Sequence, residues 1–121
     1  MIGLLCGGSS SEHEISIVSA MAIYHKLDEL KFLYLDKSNN LYYIKKPSMD
    51  KIINKKGKKI NLNKKSLLAE KIDFIILVNH GYGVEDTIGA LLDFYEIPYL
   101  GSGVYPGTIA MDKWLCYEML N

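Results

Sequence analysis

Glu12, His13 and Glu14 stand side by side directly after a glycine pair, Gly7-Gly8. Two carboxylates around an imidazole can receive a cation such as an amino group, and can hold or pass a proton. A site built for phosphate alone has no use for carboxylates there. The glycines let the backbone turn tightly and let a ligand come close. Three further places carry polar groups of the same kind. His80 lies in Asn79-His80-Gly81-Tyr82-Gly83-Val84-Glu85-Asp86, Ser102 lies between Gly101 and Gly103, and Lys113 follows Asp112.

Each residue also has a plainer reading. Glu12 and Glu14 can simply favour the amino end of a helix. His13 can orient or pack. His80 can close a strand end by hydrogen bonding, Ser102 can be a turn residue, and Lys113 can be an ordinary surface lysine. Which reading holds depends on the elements that position them.

Those elements alternate between strand and helix. Met1–Cys6 is a short apolar run of strand length, and residues 12–30 have helical spacing. Lys31–Leu35 reads as a second strand, Asp36-Lys37-Ser38-Asn39-Asn40 as a turn, and Leu41–Ile44 as the return strand of a hairpin. Asp73–Val78 is a continuous apolar run, as in a strand buried on both faces. A helix at about Thr87–Tyr95 follows, then a short strand at Ile97–Leu100. Tyr105–Ala110 reads as a helical turn or two, and Met111–Leu120 as the start of another helix. This alternation predicts one α/β domain over residues 1–121, with an open, mainly parallel sheet flanked by helices. In such a sheet the Gly7-Gly8, Gly81/Gly83 and Gly101/Gly103 loops open on one edge. Glu12, His13, Glu14, His80, Glu85, Asp86 and Ser102 are then drawn towards one small-molecule crevice.

Composition narrows the function classes. The 121 residues suffice for a real core, and 49% of them are apolar. Net charge is zero, so no global field points to nucleic acid or membrane, and neither is expected as a partner. All basic residues are lysine, which removes the usual bidentate fork for carboxylate and phosphate. Residues 45–71 hold ten lysines and only Asp50 and Glu70 as acids, a local charge of +8. Without arginine or aromatics, this segment reads as a solvated, peripheral excursion rather than a polyanion-binding arm. Cys6 and Cys116 form no disulfide framework or metal motif and read as buried free thiols in a reducing, cytoplasmic compartment. Two histidines on separate loops are a weak metal signature, so no metal site is expected. There is no G-x-G-x-x-G and no G-x-x-x-x-G-K-[ST], which argues against a nucleotide-binding oxidoreductase domain. Neither a signal peptide nor a membrane helix is expected.

The motifs themselves resemble a known family. Gly7-Gly8-Ser9-Ser10-Ser11-Glu12-His13-Glu14-Ile15-Ser16 closely resembles the G-G-x-S-x-E-[HR]-E-[VI]-S opening of D-alanine–D-alanine ligases. His80-Gly81 with Glu85-Asp86 is similar to their H-G-x-x-G-E-D-G loop. Ile97-Pro98-Tyr99-Leu100-Gly101-Ser102-Gly103 resembles I-P-Y-x-G-S-G, and Ala110-Met111-Asp112-Lys113 resembles (S/A)-M-D-K. The four motifs stand in family order along the whole chain. The resemblance implies the Rossmann-like domain that precedes an ATP-grasp domain. It implies an enzyme of peptidoglycan precursor synthesis that joins two D-alanines, spending ATP through an acyl-phosphate with magnesium. It places Glu12 at the ammonium of the first D-alanine, His80 near the substrate carboxylate and acyl-phosphate, Ser102 at the substrate, and Lys113 towards ATP. On that basis Glu12 and His80 are the expected catalytic residues.

Two departures qualify the match. Val84 stands where the loop motif has its second glycine, and Thr87 replaces the glycine after the acids. A β-branched residue does not readily take a positive φ. The chain also reads as truncated: the ATP-grasp domains that grip adenine and magnesium are absent and would act in cis or in trans. The expected role is therefore a substrate domain, inactive alone and binding no cofactor tightly by itself. The alternative is a non-catalytic small-molecule-binding or vestigial domain. Trp114, Leu115 and Leu120 on the last helix could drive self-association, so a homodimer is possible.

Overall fold

A computed structural model of the chain describes residues 1–9, 11–27, 29–78 and 84–101. The first strand, β1 (Ile2–Gly7), is buried at every position. It is apolar throughout because it runs through the middle of the sheet and is covered on both faces. Helix α1 (His13–Lys26) turns His13, Ser16, Ile17 and Ala20 inward, the spacing of one helical face. It stops at Lys26 rather than near residue 30, because Leu30 already belongs to β2 (Leu30–Leu35). Glu29, in the connection, takes a positive φ of 65°. Strand β3 (Leu41–Ile44) completes the expected hairpin.

The lysine-rich segment folds into three short elements: α2 (Met49–Ile53), β4 (Lys58–Ile60) and α3 (Lys64–Ala69). Each helix is capped by a side chain. Ser48 accepts from the Lys51 amide at 3.3 Å, and Asn63 accepts from the Ser66 amide at 2.8 Å. Each also sends one residue into the core, Ile52 and Leu67, both 1% exposed. Strand β5 (Phe74–Leu77), helix α4 (Val84–Phe94) and strand β6 (Tyr99–Gly101) complete the domain. Helix α4 begins three residues earlier than its spacing predicts, so Glu85 and Asp86 belong to its first turn.

The sheet order is β4-β3-β2-β1-β5-β6. Strands β2, β1, β5 and β6 are parallel, while at one side β3 runs antiparallel to β2 and β4 antiparallel to β3. The architecture is therefore the expected α/β class with a mostly parallel sheet. Strand alternation divides the core in two. Leu4, Cys6, Phe32, Tyr34 and Ile76 share one face with Ile17 and Ala20 of α1 and Ile52 of α2. Leu5, Leu33, Ile75 and Leu77 share the other with Leu67 of α3 and Ile88 and Leu92 of α4. Among the described residues, no helix is long and apolar enough to cross a membrane.

Asp36, 2% exposed, ties the β2–β3 turn together. Its carboxylate accepts from the Ser38 and Asn40 amides at 2.9 and 2.8 Å and from the Asn40 side chain at 3.2 Å. Lys55 Nζ lies 3.3 Å away. Burial pushes this carboxyl up, but the Asn40, Lys55 and Ser38 hydrogen bonds outweigh burial and hold it below the usual carboxylate range. A depressed folded pKa contributes stability that is present above the unfolded value of about 3.9 and lost as pH falls through the folded value. Asp36→Asn should cost about 1–3 kcal/mol at neutral pH and flatten the acid side of the stability profile. Urea unfolding between neutral pH and strong acid checks this. Identical acid slopes in the two proteins would contradict it.

Candidate functional site

The candidate site begins at the carboxyl end of β1. Gly7 and Gly8 both take positive φ, 92° and 97°. This is the left-handed region that glycine enters without steric cost. A Cβ at Gly7 would stand 2.1 Å from the Leu35 carbonyl oxygen, so the turn runs hard against β2. Three hydrogen bonds hold it. The Gly8 amide donates to the Leu35 carbonyl at 2.8 Å, and the Gly7 amide donates to Ser16 Oγ at 2.8 Å. Ser16 in turn donates to the His13 carbonyl at 2.8 Å.

His13 supplies the third. It is 4% exposed, with Nδ1 2.5 Å from the Gly8 carbonyl oxygen and Nε2 2.9 Å from the Tyr34 hydroxyl. A carbonyl can only accept, so Nδ1 carries a proton. Burial, then the nearby Asp36 charge, push the Tyr34 phenol up to about 12, so it stays protonated. His13 is thus a strut between the glycine turn and β2, the orienting role that was one of its two sequence readings. Tyr34 is the residue that sequence reasoning missed. It and His13 meet only through the β1–β2 register, which sets Cys6 beside Tyr34, and no spacing in the chain encodes that contact.

The turn delivers Glu12 to the N-cap of α1, half-buried. Its carbonyl accepts the first helical bond, from Ser16 at 2.9 Å, and its side chain makes no capping hydrogen bond. Glu14 is exposed in the first turn and pairs with Lys37 at 3.5 Å. Its carboxyl is held low by a hydrogen bond from its own backbone amide, then by the Lys37 charge. Glu14 is therefore engaged in stabilising the helix start.

Topology sets what surrounds Glu12. From β1 the chain moves to β2 on one side, and β5 and β6 build the other side. The order switches between β1 and β5, where open α/β sheets hold ligands. The ends are level: Leu5 pairs with Leu77, Leu77 pairs with Gly101, and the Val78 amide donates to Leu5 at 2.8 Å. The connections that leave β1, β5 and β6 therefore depart from one edge, and the turn carrying Glu12 stands beside the switch. His80, Ser102 and Lys113, and with them Trp114, Leu115 and Leu120, lie outside the described residues. Among the described residues, no three His, Cys, Asp or Glu side chains come together as a metal ion would need.

The fold is an α/β domain with an open, mostly parallel sheet, and its anchored glycine turn and acidic helix start lie at the switch point, the place where such sheets hold ligands. Residues 1–102 match the family model described as the D-ala D-ala ligase N-terminus. The chain belongs to the D-alanine–D-alanine ligase family, as its amino-terminal domain. It is 33% identical to the D-alanine–D-alanine ligase of Sulfurimonas denitrificans, across 94% of this chain and 39% of that protein. It is 36% identical to that of Carboxydothermus hydrogenoformans, across 99% of this chain and 32% of that protein. Among solved structures, the Helicobacter pylori D-alanine–D-alanine ligase superposes with a TM-score of 0.67 at 32% identity, over 82% of this chain and 36% of that one. The Coxiella burnetii enzyme gives 0.69 at 30% identity, over 82% and 34%. The chain thus spans about two-fifths, 39%, of the first of these relatives.

Proposed function

We propose that this chain is the part of a D-alanine–D-alanine ligase that receives the first D-alanine, with Glu12 as the carboxylate for its ammonium group. The observation that carries this reading is the placement of Glu12. The Gly7-Gly8 turn, the His13 strut and the α1 N-cap together fix its backbone at the switch-point edge. A backbone held in place limits where the attached carboxylate can reach, which favours a defined ammonium site. On the same reading His80 and Ser102 act on the substrate from the neighbouring loops, and Lys113 reaches towards ATP.

No catalytic site for ATP and magnesium is assigned among the described residues. No cluster of three metal-ligating side chains forms among them, and no step through either group is assigned to them. The acyl-phosphate chemistry implied by the family falls to the domains that the relatives have beyond this length, supplied in cis or in trans. The thiol of Cys6, fully buried and pushed well up by desolvation, is an inert packing group. A buried free thiol fits the reducing cytoplasm in which this reading places the ligase.

The test is the purified 121-residue chain with ATP, magnesium and D-alanine. The expected result is no D-alanine-dependent phosphate release. Steady release that needs D-alanine and is lost in Glu12→Gln would show that the chain is a complete enzyme, and would overturn the division of labour proposed here.

A further inference from the structure

Four of the ten lysines of segment 45–71 gather beside β3 and β4. Strand β3 runs antiparallel to β2, with Leu41 opposite Leu35 and Ile44 opposite Phe32. Lys45 therefore leaves β3 at the amino edge of the parallel strands, away from the Gly7-Gly8 turn. Strand β4 enters at that same edge, with Lys58 opposite Tyr43. Between them lies a cleft of about 420 Å³ lined by Tyr43, Lys45, Lys51, Lys56, Lys58 and Glu70. Gly57 closes its wall: a Cβ there would stand 2.6 Å from the Tyr43 carbonyl oxygen, so the two strands approach backbone to backbone.

The charges of this cleft are poorly balanced. Four lysines against one glutamate leave +3. Glu70 is already paired with Lys58, and that hydrogen bond holds its carboxyl below the usual range. Lys51 Nζ donates to the Lys45 and Lys46 carbonyls, both at 3.0 Å, which orders its ammonium without neutralising it. Lys45 acts on Glu70 only through space, and no ion pair among the described residues gives Lys45 or Lys56 a carboxylate of its own. The turns that carry these two lysines are also strained. Lys46 and Lys55, their neighbours, sit at φ of 50° and 52°, where a side chain is unfavourable.

We propose that this cleft is a second ligand site, for a small molecule bearing two or more linked phosphate groups. Lysine heads are compact charges with three donors each, suited to phosphate oxygens of no fixed orientation. The cleft's size fits a pyrophosphate or triphosphate group and not a polymer. The site lies on the opposite edge from Glu12, so it stands or falls independently of the D-alanine reading.

Inorganic triphosphate is the probe, titrated into the 121-residue chain and followed by amide chemical shifts. The expected shifts centre on Lys45, Lys51, Lys56 and Gly57. Lys45→Gln with Lys56→Gln, both exposed and outside the core, should weaken binding about tenfold or more, as the loss of two charge-assisted contacts requires. Lys64→Gln with Lys65→Gln, on α3, removes the same charge outside the cleft and should leave binding within about twofold. Equal losses in the two double variants would show diffuse attraction to a basic segment and overturn the proposal. So would tighter binding of a short single-stranded oligonucleotide than of triphosphate, which would mark a nucleic-acid face instead.

Discussion

Gly7→Ala should largely abolish folding of this domain. Alanine at this position faces two separate penalties. A positive φ of 92° costs a side chain about 1–2 kcal/mol. The new Cβ also meets the Leu35 carbonyl oxygen at 2.1 Å, which is backbone and cannot rotate away. Relief requires β1 to move off β2, and β1 is the central strand that β2 and β5 both pair with. The same shift breaks the Gly7 bond to Ser16 and the Gly8 bond to Leu35. Together the loss should reach about 4–5 kcal/mol, the upper end for single substitutions and most of what a domain of this size has to spare. Gly3→Ala is the matched control on the same strand. Its Cβ would meet the ends of the Ile75 and Leu33 side chains, each at 2.9 Å, which can repack. It should cost about 1–3 kcal/mol. Urea unfolding followed by circular dichroism ranks the two. A Gly7→Ala protein as stable as the parent would mean that the turn does not press on β2.

The core strands were legible in the sequence because burial writes itself into composition. Residues 1–6 and 73–78 are unbroken apolar runs, and the strands formed there, Ile2–Gly7 and Phe74–Leu77, are covered on both faces. Residues 31–35 and 41–44 around the Asp36–Asn40 turn were equally plain, since the turn chemistry and the alternation agree. Element ends were less so. Helical spacing continues past Lys26 to Leu30, and only the demand of the sheet for Leu30 ends α1 earlier. Helix α4 starts at Val84 because a β-branched residue can open a helix where it cannot hold a glycine's turn. In segment 45–71 the density of lysine obscured two short helices. Their signals were single residues, the caps Ser48 and Asn63 and the buried Ile52 and Leu67. At the candidate site, the glycine pair and the acids marked the turn from β1 into α1. The support beneath them, His13 against Tyr34 and Ser16 against Gly7, depends on strand register and becomes visible only in three dimensions.

Glu12→Gln should weaken use of the first D-alanine while leaving the fold intact. The substitution keeps the shape of the side chain and removes only its charge. The Glu12 carbonyl still accepts the first helical bond, from Ser16, and the side chain makes no capping hydrogen bond that would be lost. With the backbone cap and the side-chain shape kept, stability should change by about 1 kcal/mol or less. An ammonium that loses a desolvated carboxylate partner loses about 2–4 kcal/mol. That corresponds to a rise of roughly thirtyfold to a thousandfold in the KM for the amino acid it served. On the proposed assignment, use of the other D-alanine should show little change. The direct measurement uses a full-length ligase whose amino-terminal domain is replaced by residues 1–101 of this chain. Its kinetics are taken with and without Glu12→Gln and resolved for the two D-alanine sites. A large rise confined to the first site, with the melting temperature unmoved, is the predicted result. An active chimera whose two KM values are unchanged by Glu12→Gln would contradict the assignment of this domain as the binder of the first D-alanine.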